Sequence, residues 1–221
     1  MDRRQVAMGG LAAILAPGAA LAGTKLQPLF AGTPLADNGI AKRFTTLPDI
    51  PIPKVSLRGD DGKHAFTELT GKMRIVALWA EWCPPCIAEA GDLAKLHAKY
   101  GGADFGVQSI LTDSDRGLSL ASARQVLAKT GGDTLPLWIE PSGGNTLVST
   151  YSPTPQQSTN LPCVLIVDRK GAVRGRCLGA SFVTDKPVKP NDKAAILATR
   201  TEWSTPEAEA FVQGLIGGAL G

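Results

Sequence analysis

The sequence predicts an α/β domain: a central mixed β-sheet flanked by helices, with a β-hairpin extension on its N-terminal side. Three observations carry this. Arg74 to Trp79 is a compact apolar run suited to a buried strand, and it leads into a helical period and then a second apolar run. Cys163 to Asp168 and Ala172 to Gly179 flank the turn Arg169-Lys170-Gly171 as a hairpin. A last helix is capped by Thr205, with Pro206 at its first position and Gly217-Gly218 past its end.

Taken in order, residues 1–22 read as a secretory signal. Arg3 and Arg4 precede an apolar run from Val6 to Leu15, and Ala20-Leu21-Ala22 offers small residues for cleavage after Ala22. The arginine pair loosely resembles a twin-arginine signal; an ordinary basic leader and an uncleaved membrane anchor are the alternatives. Residues 23–47 lack periodicity and read as an irregular lead-in, with packing against the domain open to it, before a domain spanning 48–221. The runs 55–57 and 64–66 flank Gly59-Asp60-Asp61-Gly62 as a hairpin. Ile87, Ala90, Leu93, Ala94, His97 and Tyr100 recur at helical spacing up to Gly101-Gly102. Strands follow at 105–111 and 135–140, with a helix at 118–129 between them. Two loops, 141–160 and 183–193, contain proline.

With 221 residues, 43% apolar and 19% charged, the chain is long enough for a buried core and too apolar for a disordered tail. A formal charge of +3, spread among acids, argues against a nucleic-acid partner. Four cysteines are too few for a disulfide scaffold, yet export permits disulfides.

The chemistry concentrates at Trp82-Cys83-Pro84-Pro85-Cys86, between a buried strand and a helix. A helix N-terminus favours a thiolate through its unpaired N–H groups and partial positive charge. Cys83 is the expected exposed attacking sulfur, and Cys86, one turn on, resolves the mixed disulfide. Two prolines remove two N–H donors near Cys83, which disfavours its thiolate and points toward a reducing pair. A zinc site would need two more ligands, and only His64, His97 and two distant cysteines exist. Copper(I) held by the two thiolates stays open as an alternative, as does a disulfide oxidant.

These residues, with Leu69-Thr70-Gly71-Lys72 before the strand and Glu89 three after Cys86, resemble the TlpA/ResA-like thiol–disulfide oxidoreductases of the thioredoxin superfamily. The resemblance runs from about residue 48 to 180 and implies a thioredoxin-like fold. It also implies a cis-proline at Pro162, whose neighbour Leu161 offers backbone to an extended client, with Trp82 as the aromatic surface beside Cys83. The implied activity is reduction of disulfides in exported clients of the cytochrome c or copper-centre assembly type. Such an enzyme needs no organic cofactor and no metal, and is recharged in the periplasm by a membrane-bound thiol donor. Ala77 stands where thioredoxins carry a buried acid, which leaves Glu89 or Glu81 as candidates for proton transfer. Gly91 replaces a proline that is usual in this branch. The loop 149–161 is long and 181–203 is an added excursion.

Cys163 and Cys177 face each other across the expected hairpin if its turn carries one bulged residue. Directly opposed residues have Cβ atoms about 4.5–5.5 Å apart, so a structural disulfide between them is the expectation, with two buried free thiols as the alternative.

Overall fold

A computed structural model describes residues 26–47, 50–141, 144–152 and 160–220. The expected signal segment 1–22 lies outside them. The strands are β1 (Thr45–Thr46), β2 (Ser56–Gly59), β3 (Gly62–Ala65), β4 (Met73–Trp79), β5 (Phe105–Leu111), β6 (Leu137–Ile139), β7 (Cys163–Val167) and β8 (Val173–Leu178). The helices are α1 (Pro84–Tyr100), α2 (Leu120–Leu127), α3 (Thr146–Tyr151), α4 (Lys193–Ala198) and α5 (Pro206–Ile216). All the strands join one sheet in the order β1-β8-β7-β4-β5-β6-β2-β3. β4 lies inside it, parallel to β5 and antiparallel to β7, so the sheet is mixed as expected. The β2–β3 hairpin is clipped to β6 by the single pair Arg58 and Ile139. There His64 stacks on Trp138 with ring centroids 4.5 Å apart.

Burial of β4 on both faces explains why Ile75 to Trp79 is apolar throughout, since each face packs a separate core. One face meets α1, α2 and α5 through Ile75, Leu93, Leu127 and Phe211. The other gathers Val76, Leu78, Phe66, Leu147, Tyr151 and Cys163 beneath α3 and the hairpin.

Residues 26–47 are irregular, as expected, and pack into the fold, so the domain begins before residue 48. β1 pairs with β8, and Phe30, Ile40 and Phe44 are buried in the first core. Phe44 stacks on Phe211 at 5.5 Å and meets Trp203 edge-on at 6.4 Å. Each buried phenylalanine contributes about 1.5–3 kcal/mol of apolar burial. Its place in the domain leaves no mark in the sequence because it is built of turns and a 3-10 helix, Ala41–Arg43, which have no long period to detect.

Two short helices also lie where the sequence showed loops. α3 starts where Glu140, at the end of β6, accepts the N–H of Thr146 at 2.8 Å. That cap comes from outside the helix. Asp192 caps α4 by accepting the N–H of Ala195 at 3.0 Å.

The hairpin β7–β8 corrects the expected second disulfide. Val167 pairs with Val173, but a bulge then shifts the register, so Ile166 faces Gly175, Val164 faces Cys177 and Cys163 faces Leu178. A one-residue slip turns a side chain to the opposite face. Cys163 therefore sits in the second core and Cys177 in the first, and both are free buried thiols.

Candidate active site

β4 delivers the chain into Ala80-Glu81-Trp82, and Cys83 is the N-cap of α1. Pro84 and Pro85 follow as the first helical residues, where a missing N–H costs no ladder bond. The carbonyl of Cys83 accepts the N–H groups of Cys86 at 3.1 Å and Ile87 at 3.3 Å, which starts the helix. Cys83 and Cys86 are joined by a disulfide with Cα atoms 5.4 Å apart. In this oxidised state Cys83 is only 4% exposed, not the open sulfur expected, because it packs with Cys86 into the first core. Trp82 beside it is 40% exposed and forms the apolar surface next to the pair. Its indole N–H donates to the carbonyl of Asp113 at 2.8 Å, which fixes the ring against the turn after β5.

The Leu161–Pro162 bond is cis, as the resemblance implied. Because Cys163 pairs with Leu78, Pro162 comes level with Trp79 at the end of β4 from which the cysteine loop departs. Leu161 is half-buried and packs on both cores. The two carboxylates singled out for proton transfer part company. Glu81 accepts from the Ser114 hydroxyl at 3.1 Å and the Arg116 N–H at 3.0 Å, so it clamps the 113–116 turn. Glu89 lies on α1 one turn past Cys86 and is 2% exposed. Burial pushes its pKa up to about 8, opposed by the positive charge of Arg43 and by the Trp203 N–H, which donates to it at 3.3 Å. Ala77 packs toward the first core, as α1 does, so the carboxyl on that side comes from the helix and not from the strand.

Burial also raises the two outlying thiols, Cys177 to about 11 and Cys163 to about 12, which keeps them protonated and poor nucleophiles. Arg43 and Trp203 were not singled out for function from sequence, because both arrive from segments far from the cysteine motif. Among the described residues no group of three or more His, Cys, Asp or Glu is placed to hold a metal ion. A Cu(I) ion would therefore have the reduced Cys83 and Cys86 sulfurs as its soft donors.

A disulfide-forming cysteine pair at the mouth of a helix, on a mixed sheet with a cis-proline leading the neighbouring strand, defines a thioredoxin-like domain. The chain belongs to the AhpC/TSA family, which matches residues 46–176. It is similar to "Thiol-disulfide oxidoreductase ResA" of Oceanobacillus iheyensis, 33% identical over 29% of this chain and 33% of that protein. It is also similar to "Thiol:disulfide interchange protein DsbE" of Allochromatium vinosum, 34% identical over 36% of this chain and 39% of that protein. The matched stretch thus spans between 33% and 39% of these curated relatives' length. Among solved structures, the exposed lipoprotein thioredoxin Etrx1 of Streptococcus pneumoniae has a TM-score of 0.44 and 25% identity, covering 66% of this chain and 96% of its own.

Proposed function

We propose that this chain is an exported thiol–disulfide oxidoreductase that reduces disulfides in specific client proteins. The thiolate of Cys83 attacks one sulfur of a client disulfide and the other client sulfur leaves as a thiolate that takes up a proton. Cys86 then gives its thiol proton to Glu89, attacks the Cys83 sulfur and releases the second client sulfur as a thiolate, which takes up a proton from solvent. Two electrons pass to the client and the Cys83–Cys86 disulfide closes. Leu161 presents backbone to the client strand, Pro162 keeps that edge without a competing N–H, and Trp82 gives the client an apolar rest. The cysteine pair carries the electrons itself, without an organic cofactor. A membrane-bound thiol donor in the periplasm resets it. Clients of the cytochrome c or copper-centre assembly type suit a reductase, and the basic, apolar segment Arg3–Ala22 supports export.

The observation that carries the direction is the pair of prolines at the head of α1. They remove two N–H donors that would otherwise stabilise the Cys83 thiolate, and a less stable dithiolate makes a stronger reductant. The test is the reduction potential of the Cys83–Cys86 pair, followed by Trp82 fluorescence in thiol buffers, with mass spectrometry identifying the titrating cysteines. A value near or below about −200 mV supports the reductase, and one near about −120 mV makes the protein an oxidant. Insulin reduction that survives Cys83→Ser would remove the mechanism altogether.

A further inference from the structure

The family match begins at residue 46 and ends at residue 176, yet the two groups that favour the Glu89 carboxylate, the Arg43 charge and the Trp203 N–H, come from beyond its two ends. Arg43 arrives from the segment before β1. Its guanidinium contacts the Glu202 carboxylate and donates to the carbonyls of Leu178 at 3.3 Å and Gly179 at 2.5 Å. Glu202 opens the 3-10 helix Glu202–Ser204, which also carries Trp203, the donor to Glu89. Asp92, one turn along α1 from Glu89, accepts both the N–H of Thr201 at 2.8 Å and its hydroxyl at 3.0 Å. That clamp ties the excursion after β8 to the helix that holds the cysteines.

We propose that Arg43, anchored by Glu202, and Trp203 form a positioning unit, supplied by the segments flanking the family core, that keeps Glu89 able to take and return a proton during exchange. This rests on the reading of Glu89 as the acceptor of the Cys86 proton. The step is a transfer from the Cys86 thiol to the Glu89 carboxylate as the Cys86 sulfur bonds to Cys83 and the Cys83–client bond breaks. The proton returns when a donor reduces the pair.

The physical need is plain. A carboxyl as deeply buried as Glu89 loses its hydration, and an unsupported one stays protonated and accepts nothing. Arg43 supplies a positive charge and Trp203 a hydrogen bond, and each favours the carboxylate. Asp92 on the same helix pushes the other way, as a like charge. Cys177 on β8 and Cys163 on β7 also feel Glu89, but burial holds both as neutral thiols. Arg43 is thus the cation whose field opposes burial at Glu89, and its bonds to Glu202 and the end of β8 fix where that field originates. Neither Arg43 nor Trp203 touches the sulfurs' reaction; each acts through Glu89.

The experiment is the pH dependence of insulin-disulfide reduction by the full chain from pH 5 to 10, with thermal melting of each variant as a check on folding. The wild type is expected to show a rate limb set by Glu89, and Glu89→Gln to lose it. Arg43→Met and Trp203→Phe are expected to move the limb upward by about one pH unit, because each removes a group that favours the carboxylate. Arg43→Lys keeps the charge and is expected to restore the wild-type limb. A purely structural role would lower melting temperature and amplitude without moving the limb. If Glu89→Gln keeps the wild-type limb, Glu89 is not the acceptor and the proposal goes with that reading. If Glu89→Gln loses the limb while Arg43→Met and Trp203→Phe leave it in place, the acceptor stands and the positioning unit is overturned. Should Arg43→Met fail to fold, Trp203→Phe decides by the same criterion.

Discussion

Replacing Gly91 by alanine sets two effects of opposite sign against each other. Gly91 lies inside α1, where Gly→Ala is worth about 1 kcal/mol in favour of the helix. The structure opposes it. A methyl group added at Gly91 would stand 2.1 Å from the carbonyl oxygen of Thr130 and 3.0 Å from its carbonyl carbon. That oxygen is backbone, and Thr130 is pinned by a hydroxyl bond to the carbonyl of Ile87 at 2.6 Å, so it cannot swing aside as a side chain would. Relief needs α1 and the 130–134 turn to move apart until that 2.1 Å approach becomes an ordinary contact. Overpacking of this kind costs about 1–3 kcal/mol, and weakening the Thr130 bond adds about 1 kcal/mol. The net expectation is a loss of about 2 kcal/mol. Urea unfolding of the oxidised protein, followed by tryptophan fluorescence, measures it as a lower midpoint at constant m-value. Gly102→Ala is the control, since nothing lies within 4 Å of its added methyl, and it should change stability by less than about 0.5 kcal/mol. A Gly91→Ala protein as stable as wild type or more so would refute the steric reasoning. Helix propensity would then have won.

Two further outcomes are expected. With the active-site pair oxidised, alkylation in denaturant without reductant should label two cysteines, Cys163 and Cys177, whereas brief labelling of the folded protein should reach neither; absence of label in the denatured chain would restore the bridge between them. Stability should also depend on pH through Glu89, whose folded pKa of about 8 lies above the ordinary glutamate value of 4.5. The unfolded chain releases this proton first, so stability falls as pH rises between those values, by an amount on the order of a few kcal/mol. Glu89→Gln should flatten that decline in urea titrations at pH 5 and pH 9, and an unchanged difference between the two would show that Glu89 is not its source.

What the sequence disclosed followed from local pattern. The run from Arg74 to Trp79 is β4 with one residue added, and the strand from Phe105 to Leu111 agrees at both ends. Cys83 heads α1 because Pro84 and Pro85 fit its first turn, and Thr205 caps α5 by accepting the N–H of Ala208. What stayed hidden depends on residues distant in sequence. α3 is six residues long and borrows its cap from Glu140, and Phe30 and Phe44 gain meaning only against Phe211. Gly91 looked like a departure from a familiar pattern, while the structure shows a backbone crossing that admits no Cβ. The bulge beside Val167 changes a register by one residue and leaves no mark in composition.

That bulge has a consequence for how many electrons the chain can hold. Four cysteines in straight register could close as two bridges, and an incoming thiol would then find two disulfides to open, with scrambling between them. By sending Cys163 and Cys177 to opposite sides of the sheet, the extra residue in β8 leaves one exchangeable bridge. Under the proposed function the protein is then a carrier of a single electron pair, and each exchange with a client has the same stoichiometry and the same address, Cys83 with Cys86.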